Sequence, residues 1–168
     1  MICDMLNDFV MEGASLEVPD TRKAIPAIRR EIEMARKEGR PVVYVCEGHK
    51  PDDKEFSKFG WPAHGVRGTE GARVIDELEP READSIVYKP TYSGFNQTTL
   101  HETLKGLGVD SIRITGCVTH ICIMFTAYEA VMLDYKVTVI EKGIAGLSRE
   151  DHDAGLRMMK NVLGVTIV

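Results

Sequence analysis

The sequence is poor in cysteine and has no long apolar run. It has four cysteines among 168 residues and no Cys-x-x-Cys pair, which argues against a disulfide scaffold and a finger-type zinc site. Its apolar runs are no longer than a strand, so we expect no membrane span. The first residues lack the basic and apolar regions of a signal peptide. These absences predict a reduced, cytoplasmic setting.

The sequence also lacks a stretch of basic residues. Its formal net charge is −5 at pH 7. Proteins that bind nucleic acid usually carry a strongly basic face, so we expect no nucleic-acid partner. The length is typical of one domain with a sizeable core, and we predict a single domain over residues 1–168.

Short runs rich in β-branched residues alternate with segments whose apolar residues recur at helical spacing. After a very short apolar start at residues 1–3, we predict strands at 42–46, 85–88, 111–115, 136–140 and 165–168. We predict helices at 20–37, 98–107, 120–133 and 149–163. This alternation predicts an α/β fold of three layers, with helices on both faces of a mainly parallel sheet of about six strands.

Ligands of such sheets bind at the carboxyl ends of the strands, and three reactive side chains follow predicted strands. They are Asp4, Lys89 and Cys122. A thiol at a helix N-terminus faces free N–H groups and the positive end of the helix dipole, which predicts a lowered pKa for Cys122. Together the three predict an acyl-transfer site. Taken singly, they are also typical of a turn residue, a surface amine and a small buried hydrophobe.

Three motifs resemble one enzyme family. Residues 4–9 read D-x-x-N-D-F, Lys89 is followed by Y-S-G-F at 92–95, and residues 116–122 read G-x-x-T-x-x-C before Thr-Ala. In this order they resemble the isochorismatase-like cysteine hydrolases, which include nicotinamidases and N-carbamoylsarcosine amidases. The resemblance implies a catalytic triad of Asp4, Lys89 and Cys122 and hydrolysis through a covalent acyl-enzyme. It also implies a cis peptide bond between Cys117 and Val118 that aims an N–H group at the oxyanion.

A second cluster carries metal-ligating side chains. Glu47 and His49 follow the strand at 42–46, and His64 ends a W-P-x-H motif. They resemble the metal ligands of nicotinamidases, which implies a divalent ion such as zinc, iron or manganese, and no organic cofactor. The pattern differs in having glutamate for aspartate, and a further histidine of some relatives has no match, so Asp53, Glu55 or water takes that place. The alternative is a pair of loop histidines that only form hydrogen bonds.

The same relatives use aromatic residues to hold a flat ring. Phe9, Trp61 and Tyr92 occupy the corresponding positions here. The resemblance therefore implies an apolar wall for substrate, whereas the alternative role is ordinary packing. His120 stands where nicotinamidases often have aspartate, so the surroundings of the cysteine differ.

The sequence favours an amidohydrolase over the other possibilities. Nicotinamide to nicotinate plus ammonia is the first choice, and a metal-free amidase of a linear amide or ureide is the second. Isochorismatase itself is a weaker alternative, because cleavage of its vinyl ether needs no thiol. A thiol-based redox sensor or ligand-binding module, with Cys46 and Cys117 near the site, is the non-enzyme alternative. The segment 121–133 is apolar around more than one face, which predicts a homo-oligomer.

Overall fold

The computed structural model describes residues 1–168, and its centre is one sheet of six parallel strands in the order β3-β2-β1-β4-β5-β6. The alternation of strand and helix patterns predicted an α/β fold with about six mainly parallel strands, and this prediction is confirmed. The strands are β1 (Ile2–Cys3), β2 (Val43–Glu47), β3 (Ser85–Lys89), β4 (Ser111–Cys117), β5 (Lys136–Ala145) and β6 (Thr166–Ile167).

Helices cover both faces of this sheet. They are α1 (Asn7–Val10), α2 (Thr21–Lys37), α3 (Lys54–Phe59), α4 (Leu100–Gly106), α5 (Met124–Met132) and α6 (Arg149–Asn161). A 3₁₀ turn spans Asp76–Leu78, and a π-helical turn, Thr119–Ile123, leads directly into α5. Ser148 caps α6, because its hydroxyl accepts a hydrogen bond from the N–H of Asp151.

Two apolar layers separate the helices from the sheet. One contains side chains of α1 and α2, including Phe9 and Ile28, and the other contains side chains of α4, α5 and α6. Successive residues of β2 alternate between these layers, with Tyr44 in the first and Val45 in the second. A strand covered on both faces can be apolar throughout, as β2 nearly is.

The shortest strand lies in the middle of the sheet. Ile2 and Cys3 of β1 pair with β2 on one side and with β4 on the other. Gly116 of β4 has φ +117°, and a Cβ atom there would overlap the carbonyl group of Cys3. Glycine is therefore required where these two central strands approach each other.

The short helices α1 and α3 were not predicted, because four and six residues are too few for a helical spacing to recur. Two predicted elements also have different bounds. β5 runs to Ala145, five residues beyond the predicted end, because the charged pair Glu141 and Lys142 interrupts an apolar run that resumes at Ile144. The helix predicted from residue 120 begins as a π-helical turn and becomes α-helical only at Met124. Both changes of bounds lie at the carboxyl end of the sheet, where ligands bind in folds of this kind.

Candidate active site

Asp4 lies at the carboxyl end of the central strand. Its N–H donates to the carbonyl of Val45, and its backbone has φ +51°, which turns the chain out of the sheet. The carboxylate oxygen Oδ1 accepts a hydrogen bond of 2.8 Å from the backbone N–H of Glu47. The side chain is almost fully buried. The strand end and this hydrogen bond hold the carboxylate in one orientation.

Lys89 ends β3 and lies beside Glu47 in the register of β2 and β3. Its buried ammonium is 3.0 Å from Asp4 Oδ2, 3.0 Å from Glu47 Oε1 and 3.4 Å from Cys122 Sγ. It also donates to the carbonyl of Thr91 at 3.0 Å. A buried ammonium needs such partners, because desolvation of a lone charge is costly.

Cys122 lies in the π-helical turn that precedes α5 and is only 4% exposed. Its Sγ is 3.6 Å from Glu47 Oε1, and suitable atoms of Asp4, Glu47 and Cys122 lie within 4.8 Å of one another. The peptide bond between Cys117 and Val118 is cis. The structure therefore brings together the acid, amine and thiol that the sequence singled out. It adds a second carboxylate, Glu47, which sequence reasoning had assigned only to the metal.

The charges of this group are strongly coupled. Burial alone would lower the pKa of Lys89, but Asp4, Cys122 and Glu47 raise it well above its usual value. Burial opposes ionisation of Glu47, yet Lys89 and the nearby imidazoles bring its pKa well below normal. Burial raises the pKa of Asp4 to about 6, with Lys89 opposing and Glu47 adding to the shift. Of the two carboxylates, Asp4 therefore exchanges a proton more readily near neutral pH.

The predicted lowering of the Cys122 pKa is wrong for the resting protein. Burial raises the pKa of this thiol well above its usual value, Lys89 opposes the shift, and Asp4 and Glu47 add to it. A helix N-terminus cannot offset full burial beside two carboxylates. Cys122 is thus a neutral thiol in the resting site and needs a base to ionise it.

Glu47, His49 and His64 form the second cluster. Oε2 of Glu47 is 2.9 Å from Nε2 of His64 and 3.5 Å from Nε2 of His49. The opposite ring nitrogens are engaged, because Nδ1 of His64 lies 2.7 Å from the carbonyl of Pro62 and Nδ1 of His49 lies 3.1 Å from Asp53. If both Nδ1 atoms carry the proton, each Nε2 points a lone pair at a carboxylate oxygen.

Three acceptors that converge in a buried space need a cation or an extra proton between them. Nε2 of His49 and Oε2 of Glu47 have no hydrogen-bond partner within the chain. Burial opposes protonation of His49 and His64, but Glu47 raises the pKa of both. A divalent ion meets the same need with the donor set that zinc, iron and manganese accept. The residues present therefore fit a metal ion.

The two acidic residues considered as a further ligand take other positions. Asp53 lies behind His49, where it contacts Nδ1 and caps α3 by accepting from the N–H of Glu55. This carboxylate–imidazole contact orients the ring and fixes its tautomer. Glu55 is buried, and one of its oxygens has no partner. Neither belongs to the group of converging ligand atoms formed by Glu47, His49 and His64.

A small cavity opens over Cys122. It encloses about 310 Å³, counting the space open to solvent. Phe9, Trp61 and Tyr92, the aromatic residues singled out in the sequence, all line it together with Val118. The lining also includes three apolar residues that sequence reasoning missed, Leu16, Ile121 and Leu147. Leu147 follows β5, so the early predicted end of that strand concealed its place beside the site.

Comparisons with known proteins identify the family. The isochorismatase domain model matches residues 1–167. The chain belongs to the isochorismatase family. A protein of Arabidopsis thaliana described as a probable inactive nicotinamidase is 34% identical, and the match covers 96% of this chain and 87% of that protein.

Three solved structures of isochorismatase relatives superpose closely and each match covers 99% of this chain. An isochorismatase-like hydrolase from Alkaliphilus metalliredigens has TM-score 0.93, 36% identity and 91% coverage of its own chain. N-carbamoylsarcosine amidase from Thermoplasma acidophilum has TM-score 0.87, 34% identity and 92% coverage. Pyrazinamidase of Pyrococcus horikoshii, solved in complex with zinc, has TM-score 0.92, 31% identity and 96% coverage.

As an isochorismatase-family member, the chain is an enzyme and a hydrolase, and its amidase and nicotinamidase relatives act on carbon–nitrogen bonds other than peptide bonds. His120, which departs from the nicotinamidase pattern, does not join the cavity lining. Its backbone packs against Gly155 of α6, where a Cβ atom would come within 3.1 Å of His120 Cα. No helix has the length and apolar character needed to cross a membrane.

Proposed function

We propose that this isochorismatase-family hydrolase cleaves a neutral, flat amide, with nicotinamide to nicotinate plus ammonia as the preferred reaction. The observation that carries this proposal is the lining of the cavity over Cys122. Eight of its ten residues are apolar, and the two others are Glu47 and His64. A pocket for a substrate carboxylate would need a free cation or several donors. The nearby Lys89 is already engaged by two carboxylates.

Asp4, Lys89 and Cys122 are proposed to act as one catalytic unit. Asp4 takes the proton of the Cys122 thiol, and the sulfur attacks the amide carbon to form a tetrahedral oxyanion. We expect the backbone around the Cys117–Val118 peptide to donate to this oxyanion. Collapse breaks the carbon–nitrogen bond, Asp4 returns the proton to the leaving nitrogen, and ammonia departs. Asp4 then deprotonates water, which hydrolyses the thioester and frees the acid and the thiol.

Lys89 keeps its charge throughout this cycle. Its ammonium balances the Glu47 carboxylate and the negative charge that passes between Asp4 and Cys122. Asp4 is the proposed base because its pKa of about 6 lies close to neutral pH, whereas that of Glu47 is well below normal. A base works best when its pKa lies near the working pH.

We propose that Glu47, His49 and His64 hold a divalent ion beside the substrate ring. When bound, such an ion would act as a Lewis acid that accepts a ring nitrogen. The side chains orient this end of the site: Asp53 holds His49, the carbonyl of Pro62 holds His64, and the wall of Phe9 and Trp61 excludes water from the ring face.

A metal-free amidase is the second candidate, and one contact favours it. Oε1 of Glu47 lies 3.0 Å from Lys89, so the glutamate does not serve the imidazoles alone. Its extra methylene, compared with aspartate, allows this reach. Isochorismatase activity is not favoured, because a dicarboxylate substrate would enter an apolar cavity beside Glu47. A sensor without turnover is disfavoured by the family's hydrolase activity.

Ammonia release decides between these reactions. We expect purified protein to release ammonia from nicotinamide faster than from the anionic ureide N-carbamoylsarcosine, and the Cys122→Ala variant to release none. The assay is run before and after exhaustive chelation, with metal content measured by elemental analysis. Faster turnover of the anionic ureide, unaffected by chelation, would contradict the proposal in favour of the metal-free amidase.

A further inference from the structure

The loop after Lys89 is hydrogen-bonded to α5, the helix that follows the π-helical turn of the proposed nucleophile. Residues 90–95 follow β3 and precede α4 in the chain. Ser93 is buried in this loop, and its hydroxyl donates to Oε2 of Glu129 on α5. The next residue, Gly94, donates its N–H to the hydroxyl of Thr126 at 2.9 Å. The loop thus has two polar attachments to one helix.

These attachments lie on the helix that continues directly from the π-helical turn of the nucleophile. Thr126 and Glu129 follow Cys122 at intervals of four and seven residues. On α5, Thr126 and Glu129 are three residues apart, and side chains at that spacing lie on one side of an α-helix. Gly94 also lies close to the helix and sheet, because a Cβ atom there would come within 2.9 Å of Val45 and 3.3 Å of Thr126. The nucleophile and the loop are therefore held by one rigid element.

The loop contributes two groups to the proposed site. The carbonyl of Thr91 accepts a hydrogen bond from Lys89 at 3.0 Å. The ring of Tyr92 lines the cavity and stacks with Phe59 and with Phe125, and its hydroxyl oxygen accepts a hydrogen bond of 3.0 Å from Nε1 of Trp61. Any shift of the loop would move the substrate wall and one partner of the ammonium together.

Glu129 has no other polar role that explains its place. It is half-buried, it is the one acidic residue of α5, and it forms no ion pair. Its carboxylate is used by the Ser93 hydroxyl, which in turn accepts from the N–H of Phe95 at 3.2 Å.

We propose that Glu129 is a positioning residue that, through Ser93, fixes the 90–95 loop and so sets the position of Tyr92 in the substrate wall. Glu129 touches neither substrate nor the reacting atoms. Only the expected kinetic effect of this inference rests on the proposed function. Loss of the Glu129 acceptor leaves Lys89 held by Asp4 and Glu47, so substrate binding suffers more than the chemical step.

The test uses Glu129→Ala, Ser93→Ala and the conservative Glu129→Gln. With nicotinamide, Glu129→Ala and Ser93→Ala are each expected to raise KM about tenfold while kcat falls less than about threefold. The double variant should be no worse than Ser93→Ala alone, since both changes remove the hydrogen bond between Ser93 and Glu129. Glu129→Gln retains an acceptor oxygen and should restore KM to within about threefold of the parent protein. Glu33→Ala, an exposed change on α2, is the matched control.

A second readout does not depend on turnover. Trp61 is the chain's single tryptophan, and it donates to Tyr92, so its fluorescence reports the position of the loop. Acrylamide quenching of Trp61 should increase in Glu129→Ala and Ser93→Ala and stay unchanged in Glu129→Gln and Glu33→Ala. Absence of nicotinamide turnover in the parent protein would contradict the proposed function. The quenching result would still show whether Glu129 and Ser93 fix the position of the loop.

Three results would overturn the inference. The first is unchanged quenching and unchanged KM in both alanine variants. The second is an equal loss in Glu129→Gln and Glu129→Ala, because the charge and not the hydrogen bond would then matter. The third is a fall in kcat with KM and quenching unchanged, which would place Glu129 in the chemistry. Ser93→Ala is a small change, so it keeps the test valid if Glu129→Ala fails to fold.

Discussion

Lys89 lies buried among three acidic side chains, and this imbalance decides their protonation. One ammonium cannot hold Asp4, Glu47 and Cys122 all ionised in a buried site. Glu47 has further support from His49 and His64, so it keeps its charge. The remaining proton is therefore shared between Asp4 and Cys122, which is the exchange that nucleophilic attack requires.

The first residue-scale prediction concerns the nucleophile. Cys122→Ala should abolish ammonia release, and Cys122→Ser should be nearly inactive because a hydroxyl is far harder to ionise. Both should remain folded by circular dichroism, since thiol to methyl is a small core change. The control is Cys46→Ala, the same change at another buried cysteine. Activity of Cys122→Ala within about tenfold of the parent would refute this role.

The second residue-scale prediction concerns pH. Burial raises the pKa of Asp4 to about 6, and a base must be deprotonated to accept the thiol proton. The value of kcat/KM should therefore fall as the pH drops below about 6, with a slope that reports one proton. Asp4→Asn should remove this limb together with most activity. A profile that stays flat down to pH 4.5 would show that Asp4 is not the base.

At the scale of elements, the strands and helices that were predicted correctly are those whose residue pattern repeats over several residues. The strands β2, β3 and β4 and the helix α2 were recognised because β-branched runs and helical spacing extend over several residues. The end of β5 was missed because Glu141 and Lys142 resemble a turn. The π-helical turn was missed because its sequence has the composition of an α-helix and differs only in hydrogen bonding.

The candidate site residues were predicted from sequence motifs, whereas the contacts between them could be seen only in the folded structure. Asp4, Lys89 and Cys122 are far apart in the chain, yet each is marked by its motif and its position after a strand. The reach of Glu47 to Lys89 depends on strand register and on a side-chain conformation. Leu147 was missed because β5 was predicted to end too early. Burial of Cys122, which reverses the expected pKa shift, also depends on tertiary packing.

The first element-scale prediction concerns the contact between β1 and β4. Gly116→Ala should lower the free energy of unfolding by at least about 2 kcal/mol, because the methyl group overlaps Cys3 and the backbone has positive φ. Gly108→Ala is the control, since its φ is also positive but no atom lies within 4 Å of the added Cβ. Urea unfolding measures both. Equal losses in the two variants would show that the strands separate to admit the methyl group.

The second element-scale prediction concerns the metal ligands. His49 lies after β2 and His64 lies in a later loop, and the two stretches are joined because the N–H of His49 donates to the carbonyl of Gly65 at 2.9 Å. We expect about one equivalent of a transition metal in purified protein. Occupancy should fall as the pH decreases through the histidine range, since protonated imidazoles cannot bind metal.

Elemental analysis of His64→Ala tests this expectation apart from activity. The variant should lose the metal while keeping its fold, and a His101→Ala variant, changed outside the cluster, should keep it. Less than about one-tenth equivalent in the parent protein, with full activity after chelation, would contradict the metal assignment and favour the metal-free amidase.

At the scale of the whole molecule, a single copy of the chain leaves the outer face of α5 exposed to solvent. Phe125, Tyr128 and Met132 are 42%, 46% and 57% exposed, although the opposite face of the same helix is buried. A helix that packs only on its own sheet usually carries a polar outer face. Contiguous apolar residues on a surface are typical of an interface, and we therefore propose that the protein self-associates through α5.

The prediction is an oligomer at tens of micromolar by size-exclusion chromatography with light scattering. Met132→Glu should shift the mass towards that of one chain, because a buried carboxylate without a partner opposes association. Val162→Glu is the matched control: Val162 is 66% exposed at the end of α6, a different helix. A monomeric mass for the parent protein would remove the proposal. Dissociation by both variants would show that added charge, and not the α5 face, controls assembly.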